Sequence, residues 1–201
     1  MTTLLQINTS ISNGNGQSSQ LARQFVAAFH RRNPDAKVMV RDVAAGEPVP
    51  HLDAERFGAF ITQPEVRTAA QQAVVAYSDA LVGELQQADV IVLGLPMYNF
   101  GVPSQLKAYF DHIARAGVSF RYTDKGPVGL LTGKKAYVFA ARGGVYAGTP
   151  LDTQTGYVRD FLRFIGISDV TFVYAEGLAV SPQSREAGLA RAVAQIELLA
   201  A

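Results

Sequence analysis

Five short apolar segments recur along the chain, each separated from the next by sequence of helical or loop character. They are Thr3–Asn8, Lys37–Val43, Asp89–Leu95, Lys135–Ala141 and Val170–Ala175. Each has the length and composition of a β-strand. The third and fourth are apolar almost throughout, which is typical of strands that are buried on both faces of a parallel sheet. Strands that alternate with helices predict an α/β fold with helices on both faces of that sheet.

Apolar residues at helical spacing fill the regions between these strands. One predicted helix begins at Ser18, a second covers Val66–Gln87, and a third has Pro103 in its first turn. A fourth covers Tyr157–Ile165, and a fifth begins at Ser181. Two connections, residues 44–65 and 116–133, are longer than such a fold needs, and long structured connections often form lids or interfaces. We expect residues 1–201 to form one domain.

The composition excludes several kinds of function. The chain has 48% hydrophobic and 17% charged residues, as folded globular proteins do, and it contains no cysteine for disulfides, thiolate catalysis or iron–sulfur clusters. A formal net charge of +1 gives no reason to expect nucleic acid or an anionic membrane as a partner. The first residues resemble neither a signal peptide nor a transmembrane helix, so we expect a cytoplasmic protein.

Further motifs are weak. The three histidines lack the spacing of metal ligands, so no metal site is predicted, and no G-x-S-x-G sequence indicates a hydrolase. Arg185, Glu186 and Arg191 have the pattern of a solvated helix face.

Ligands of parallel α/β sheets bind beyond the carboxyl ends of the strands, so the loops after strands one, three and four are the candidate site. The first loop, Ser10–Ser18, carries hydroxyls and glycines at the start of a helix, which suits a phosphate group. The alternative is an ordinary capping loop in which Ser18 is the N-cap. Neither a dinucleotide fingerprint nor a nucleotide-triphosphate loop fits, because Ser19 replaces a required glycine and Lys135 replaces a required Ser or Thr.

The second loop, Pro96–Gly101, is unusually aromatic for a connection. Met97, Tyr98 and Phe100 offer apolar surface to a flat ring, and Asn99 offers a polar edge. The alternative is a strand end that closes over the core.

The third loop begins with Arg142, Gly143 and Gly144. Adjacent glycines allow backbone N–H groups to approach a ligand closely. A plain tight turn remains an alternative, and Arg142 is either a solvated charge or a residue that ties loops together.

Four stretches together resemble one family. They are "PMYNFGVPSQLKAYFD", "ARAGVSFRYTDKGPVGLLTGKKAYV", "RGG" and "FLRFIGISDVTFVYAEG". They look like the FMN-dependent NADH-azoreductases, also called FMN-dependent NADH:quinone oxidoreductases. The resemblance implies a flavodoxin-like three-layer sandwich with strand order 2-1-3-4-5. It also implies non-covalent FMN and a homodimer with active sites at the subunit interface.

The resemblance assigns residues to three parts of the site. The phosphate would be bound by Ser10, Gly16, Gln17 and Ser18. The flavin ring would lie against Met97, Tyr98, Asn99 and Phe100, with its polar edge at Ala141, Arg142, Gly143 and Gly144. The substrate cleft, formed partly by the partner subunit, would include Phe120, Tyr122 and Phe161. The family often has Ser where this chain has Gly16 and Ala141.

The implied activity is hydride transfer from NADH or NADPH, through FMN, to quinones and azo compounds by a ping-pong mechanism. No catalytic side chain is predicted, since the flavin carries the chemistry. The alternatives are a flavodoxin-type electron carrier and a flavin-binding regulator without turnover.

Overall fold

The computed structural model describes residues 1–12 and 14–200. Its strands are β1 (Thr3–Asn8), β2 (Lys37–Asp42), β3 (Val90–Pro96), β4 (Phe120–Thr123), β5 (Gly126–Gly129), β6 (Lys135–Ala141) and β7 (Asp169–Ala175). Its α-helices are α1 (Gln17–Arg32), α2 (Ala54–Ile61), α3 (Ala69–Gln87), α4 (Ser104–Ile113), α5 (Thr155–Phe164) and α6 (Pro182–Leu199). None of the helices in this part of the chain combines the length and apolar character that a membrane crossing needs.

Five strands form one parallel sheet in the order β2-β1-β3-β6-β7. When the separate hairpin of β4 and β5 is set aside, this agrees with the predicted order 2-1-3-4-5. Because β1 lies between β2 and β3, the chain first runs from β1 to β2 on one side and then crosses to β3 on the other side. A crevice therefore forms beyond the carboxyl ends of β1 and β3.

Two apolar clusters cover the two faces of the sheet, as predicted. On one face Leu21, Phe25 and Ile196 bring α1 and α6 onto the strands. On the other, α3, α4 and α5 pack through residues such as Leu81 and Phe110. Burial of the apolar surface in these clusters stabilises the fold by about 25 cal/mol for each Å² removed from water. The central strands β1, β3 and β6 are thus held between helices, and their carboxyl edge is a firm support for loops. The edge strand β2 instead leaves Val38 and Val40 exposed.

The helix predicted over Val66–Gln87 starts later than expected, at Ala69. Residues Pro64–Val66 form a short 3-10 helix instead, and Thr68 caps the α-helix that follows. The Thr68 side chain accepts a hydrogen bond from Gln71 N, and Gln71 Oε1 accepts one from Thr68 N. This reciprocal capping box satisfies two N–H groups that a longer helix would have paired internally.

The long connection after β2 is fastened to α3 and α4 by buried polar contacts. Arg115 Nη1 donates to Ser78 Oγ at 3.0 Å, and the Ser78 hydroxyl donates to the carbonyl of His112 at 2.6 Å. The buried His112 ring places Nε2 2.9 Å from the carbonyl of Pro50, while its Nδ1 has no partner among the described residues. Nε2 therefore carries the proton and donates a hydrogen bond to the carbonyl oxygen of Pro50. The neutral imidazole fits this place, and the imidazolium would add an unpaired donor.

Burial lowers the pKa of His112 below its ordinary value, and the hydrogen bond to Pro50 opposes this only in part. In the unfolded chain the ring takes up a proton near pH 6.5. As pH falls below that value, the unfolded state therefore binds more protons, and the free energy of unfolding decreases. Chemical denaturation between pH 7.5 and 5 is expected to show this loss in the wild type and a flatter profile in His112→Gln. The exposed His51→Gln is the control, and an unchanged slope in His112→Gln would contradict the assignment.

Candidate flavin site

An open cleft of about 370 Å³ lies beyond the carboxyl ends of β1, β3 and β6. All three loops selected from the sequence contribute to it. Its lining residues are Ser10, Ser12, Asn15, Gly16, Gln17, Pro96, Met97, Tyr98, Ala141, Arg142, Gly143, Leu178, Ala179 and Arg185. An adjoining cleft of about 270 Å³ is lined by Met97, Asn99, Phe100, Gly143, Gly144 and Tyr146. The first and second loops therefore share one crevice with the third, as the position of the strands predicts.

The first loop packs tightly between the end of β1 and the start of α1. The hydroxyls of Ser10 and Tyr98 are hydrogen-bonded at 3.1 Å, which joins this loop to the second one. Gly16 lies so close that a Cβ there would be 2.1 Å from Ser10 Oγ. Only glycine fits at position 16 with this conformation of Ser10. Asn13, which belongs to the same loop, lies outside the described residues.

Ser18 is not the N-cap of α1, contrary to the capping alternative. Gly16 occupies the cap position without a side-chain hydrogen bond, and Ser18 is the second residue of the helix. Its side chain is buried, and its hydroxyl has no hydrogen-bond partner among the described residues. The first N–H groups of a helix have no partner within it, and the first turn of α1 holds no acidic residue. This end of the cleft therefore favours an anion.

The second loop is a tight turn with unusual backbone geometry. Asn99 and Phe100 have φ values of 50° and 63°, and the turn is closed by hydrogen bonds between Tyr98 and Gly101. The left-handed conformation costs residues other than glycine roughly 1–2 kcal/mol each. Phe100 remains about half exposed, and its ring meets that of Tyr146 edge to face at 5.5 Å. The turn thus presents an apolar side chain to the crevice instead of burying it.

Two residues before α5 hold this turn from below. The buried side chain of Gln154 donates through Nε2 to the carbonyls of Pro96, at 2.8 Å, and Gly101, at 2.9 Å. Thr153 Oγ1 donates to the carbonyl of Phe100. These contacts join the second loop to the segment that follows the third one. They offset part of the cost of the left-handed conformation, because they add hydrogen bonds to carbonyls in and beside the turn.

Arg142 ties loops together, which was one of the two alternatives for this residue. It is only 1% exposed, and its guanidinium pairs with Asp152 at 2.8 Å and Glu176 at 3.1 Å. Glu176 Oε1 also accepts hydrogen bonds from the N–H groups of Tyr146 and Ala147, both at 2.9 Å. Burial raises the pKa of Asp152, but hydrogen bonds from Arg142 and Thr155 outweigh it and leave that pKa below its ordinary value. The Asp152 carboxylate is therefore charged, and the Arg142 guanidinium is paired with acidic side chains within the protein.

The third loop leaves two donors free. The carbonyls of Gly143 and Gly144 accept hydrogen bonds from Ala179 N and Gly177 N. The N–H groups of the same two glycines have no acceptor among the described residues. Both residues line the crevice, so their amides are available to a ligand with acceptor atoms. A Cβ at Gly144 would lie 2.5 Å from the Tyr146 ring, so a larger residue would displace that ring.

The three residues assigned to the substrate cleft lie elsewhere in the chain. Phe120 is buried against Phe164 at 4.3 Å, and Phe161 stacks on Phe110 at 3.9 Å. Tyr122, in the β4–β5 hairpin, is 73% exposed. None of the three lines the crevice of its own chain. Their contribution to a partner's cleft stays a prediction.

Several residues of the site could not be identified from the sequence. Gln154 and Glu176 act through contacts with residues 58 and 34 positions away, which no local pattern reveals. Arg185 is exposed, as predicted for a solvated helix face, and it also lines the crevice beside the start of α1, which the sequence did not indicate. It does so because it lies in the first turn of α6, which packs beside α1.

The geometry agrees with known proteins. A family model described as "Flavodoxin-like fold" matches residues 2–199. An FMN-dependent NADH:quinone oxidoreductase of Cellvibrio japonicus is 61% identical over 178 residues, covering 89% of each chain. The chain belongs to the family of FMN-dependent NADH:quinone oxidoreductases. The FMN-dependent NADH:quinone oxidoreductase 6 of Burkholderia lata is 57% identical and covers 96% of each chain.

Solved structures of this family share the whole fold. The azoreductase of Bacillus anthracis strain Sterne superposes with a TM-score of 0.90 at 27% identity, covering 100% of this chain and 99% of that one. An FMN-dependent NADH-azoreductase of Bacillus anthracis strain Ames Ancestor, solved in complex with FMN, gives a TM-score of 0.89 at 27% identity. That comparison covers 100% of this chain and 98% of the other.

The residues of the crevice fit FMN. An uncapped helix start without acidic residues suits its phosphate, and the apolar turn suits a flat ring. The free N–H groups of Gly143 and Gly144 suit the acceptor atoms at the edge of that ring. Ala141 provides no hydroxyl, so this edge would be bound by backbone groups.

Replacing Gln154 should loosen the second loop. Gln154→Leu leaves the buried Pro96 carbonyl without this donor and leaves the Gly101 carbonyl only its bond from Tyr98 N. A buried group left unsatisfied costs about 1–3 kcal/mol. We expect a lower free energy of unfolding by chemical denaturation and weaker FMN binding by fluorescence titration. Gln24→Leu, an exposed glutamine on α1 without a side-chain hydrogen bond, is the matched control. Unchanged FMN binding in a destabilised Gln154→Leu protein would show that the turn does not contact the flavin.

Proposed function

We propose that this protein is an FMN-dependent oxidoreductase that transfers hydride from NADH or NADPH to quinones and azo compounds. The observation that carries the proposal is the crevice at the switch point of the sheet, where an anion-binding helix start, an apolar turn and two free glycine amides meet. The names of the relatives, FMN-dependent NADH:quinone oxidoreductase and NADH-azoreductase, supply the cofactor, the donor and the two acceptor classes.

Each part of the crevice has its own role in the proposal. Ser10 and the backbone of Gly16, Gln17 and Ser18 hold the phosphate, and Ser18 acts through its N–H because its side chain is buried. Met97, Tyr98, Asn99 and Phe100 hold the ring. Bound FMN supplies the hydride chemistry, and the N–H groups of Gly143 and Gly144 donate to its polar edge. Fixed donors of this kind stabilise negative charge that develops during a reaction.

The chain itself contributes the positions of the groups around the flavin. The side chain of Arg142 is committed to Asp152 and Glu176, so its role is to fix the third loop and not to exchange protons. Donor and acceptor would lie against the same open face in turn, which gives a ping-pong mechanism. The hydride transfer would need no side-chain nucleophile, and the proton that completes the reduced acceptor would come from solvent.

Assembly and location complete the proposal. The chain would act as one domain, residues 1–201, and form a cytoplasmic homodimer with two active sites at the interface. Exposed apolar side chains on α2 and the hairpin, namely Phe57, Ile61, Tyr122 and Val128, support an interface in these regions. Phe120, Tyr122 and Phe161 would border the neighbouring subunit's crevice.

The activity can be tested directly. The protein supplied with FMN should be yellow, bleach when NADH is added without oxygen, and oxidise NADH steadily when a quinone is present. Initial rates should give parallel double-reciprocal lines, since donor and acceptor share one place. An electron carrier would bind FMN without steady-state NADH oxidation by a quinone, and a regulator would bind it without turnover. A protein that binds no FMN would refute the proposal as a whole.

The dimer has its own measurement. Light scattering at assay concentration should give twice the mass of the chain, and Tyr122→Ala should lower kcat/KM for donor and acceptor together by about tenfold, since an aromatic wall is lost. Leu198→Ala, equally exposed at the end of α6, should change neither quantity. A fully active monomer, or a loss in Tyr122→Ala confined to the acceptor, would contradict the shared interfacial site.

A further inference from the structure

The crevice contains one unbalanced charge. Of its two arginines, Arg142 is neutralised by Asp152 and Glu176, whereas Arg185 forms no ion pair with any described residue. The one hydrogen bond of the Arg185 side chain within the described residues goes from Nη1 to the carbonyl of Leu178 at a long 3.4 Å. Among residues 1–12 and 14–200, no carboxylate lines the same crevice. The guanidinium of Arg185 therefore remains able to bind an anion.

The position of Arg185 points to one end of the crevice. Arg185 lies in the first turn of α6, and α6 packs beside α1 on the same face of the sheet. The crevice that Arg185 lines also includes Asn15, Gly16 and Gln17 at the start of α1. This helix start has no capping side chain and no acidic residue in its first turn. A cation and a set of free N–H groups thus face the same space from two helices.

We propose that Arg185 binds the phosphate group of FMN from the side opposite to the loop after β1. This assignment rests on the proposed function, because it takes FMN as the ligand of the crevice. A phosphate monoester carries nearly two negative charges at pH 7, and neutral N–H groups supply no formal charge against them. The planar guanidinium matches phosphate oxygens in geometry as well as in charge. Arg185 supplies the formal positive charge that the loop after β1 lacks.

Riboflavin provides the test, since it has the ring of FMN but no phosphate. The protein is freed of flavin, and the dissociation constants of FMN and riboflavin are measured by fluorescence titration. In Arg185→Gln the constant for FMN should rise about fivefold while that for riboflavin stays the same, the size expected for one partly exposed ion pair. Arg185→Lys should keep most of the preference for FMN. High salt should reduce the difference between the wild type and Arg185→Gln.

Arg191→Gln is the matched control, because Arg191 is an exposed arginine of the same helix that does not line the crevice. It should bind both flavins as the wild type does. An equal loss for FMN and riboflavin in Arg185→Gln would mean that Arg185 acts on the ring or on the fold, and no loss for either would mean that it binds no phosphate. Both results overturn the assignment while the wild type still binds FMN. A wild type that binds neither flavin would instead refute the proposed function.

Discussion

The guanidinium of Arg142 is buried at the carboxyl edge of the sheet between the carboxylates of Asp152 and Glu176. Glu176 in turn fixes the N–H groups of Tyr146 and Ala147, and Asp152 accepts from Thr155 at the start of α5. Removing one partner of a buried ion pair typically costs 3–5 kcal/mol, because the remaining charge stays buried. The loops after β6 and β7 and the start of α5 therefore form a single unit. Gln154, which holds the aromatic turn, belongs to that unit, so the shape of the crevice depends on Arg142 without any contact between Arg142 and the turn.

The strands could be predicted closely because burial on both faces leaves a continuous apolar signal. The observed ends of the strands differ from the predicted ends by only one residue, as at Pro96 in β3 and Asp42 in β2. The late start of α3 was also written in the sequence, since Thr68 and Gln71 have the spacing of a capping box. By contrast, α2 has eight residues and each hairpin strand four, and elements this short carry too few periods to stand out.

The site was predictable in outline for a different reason. Parallel strands bring their carboxyl ends to one edge, so any loops that follow β1, β3 and β6 must meet there. The sequence did not determine the role of each side chain within those loops. Arg142 and Arg185 are both arginines beside glycine-containing loops, yet one is enclosed by two carboxylates and the other by none. That difference depends on partners far away along the chain.

The close contact between Gly16 and Ser10 also constrains how this protein can change. A side chain at position 16 would collide with the Ser10 hydroxyl, which in its present position is hydrogen-bonded to the Tyr98 hydroxyl. A mutation that adds even one methyl group there is therefore acceptable only if Ser10 adopts another rotamer and releases Tyr98. Positions 10, 16 and 98 are thus sterically coupled in this chain: with the loops as they stand, a side chain at 16 displaces Ser10 and removes a hydrogen bond from the second loop.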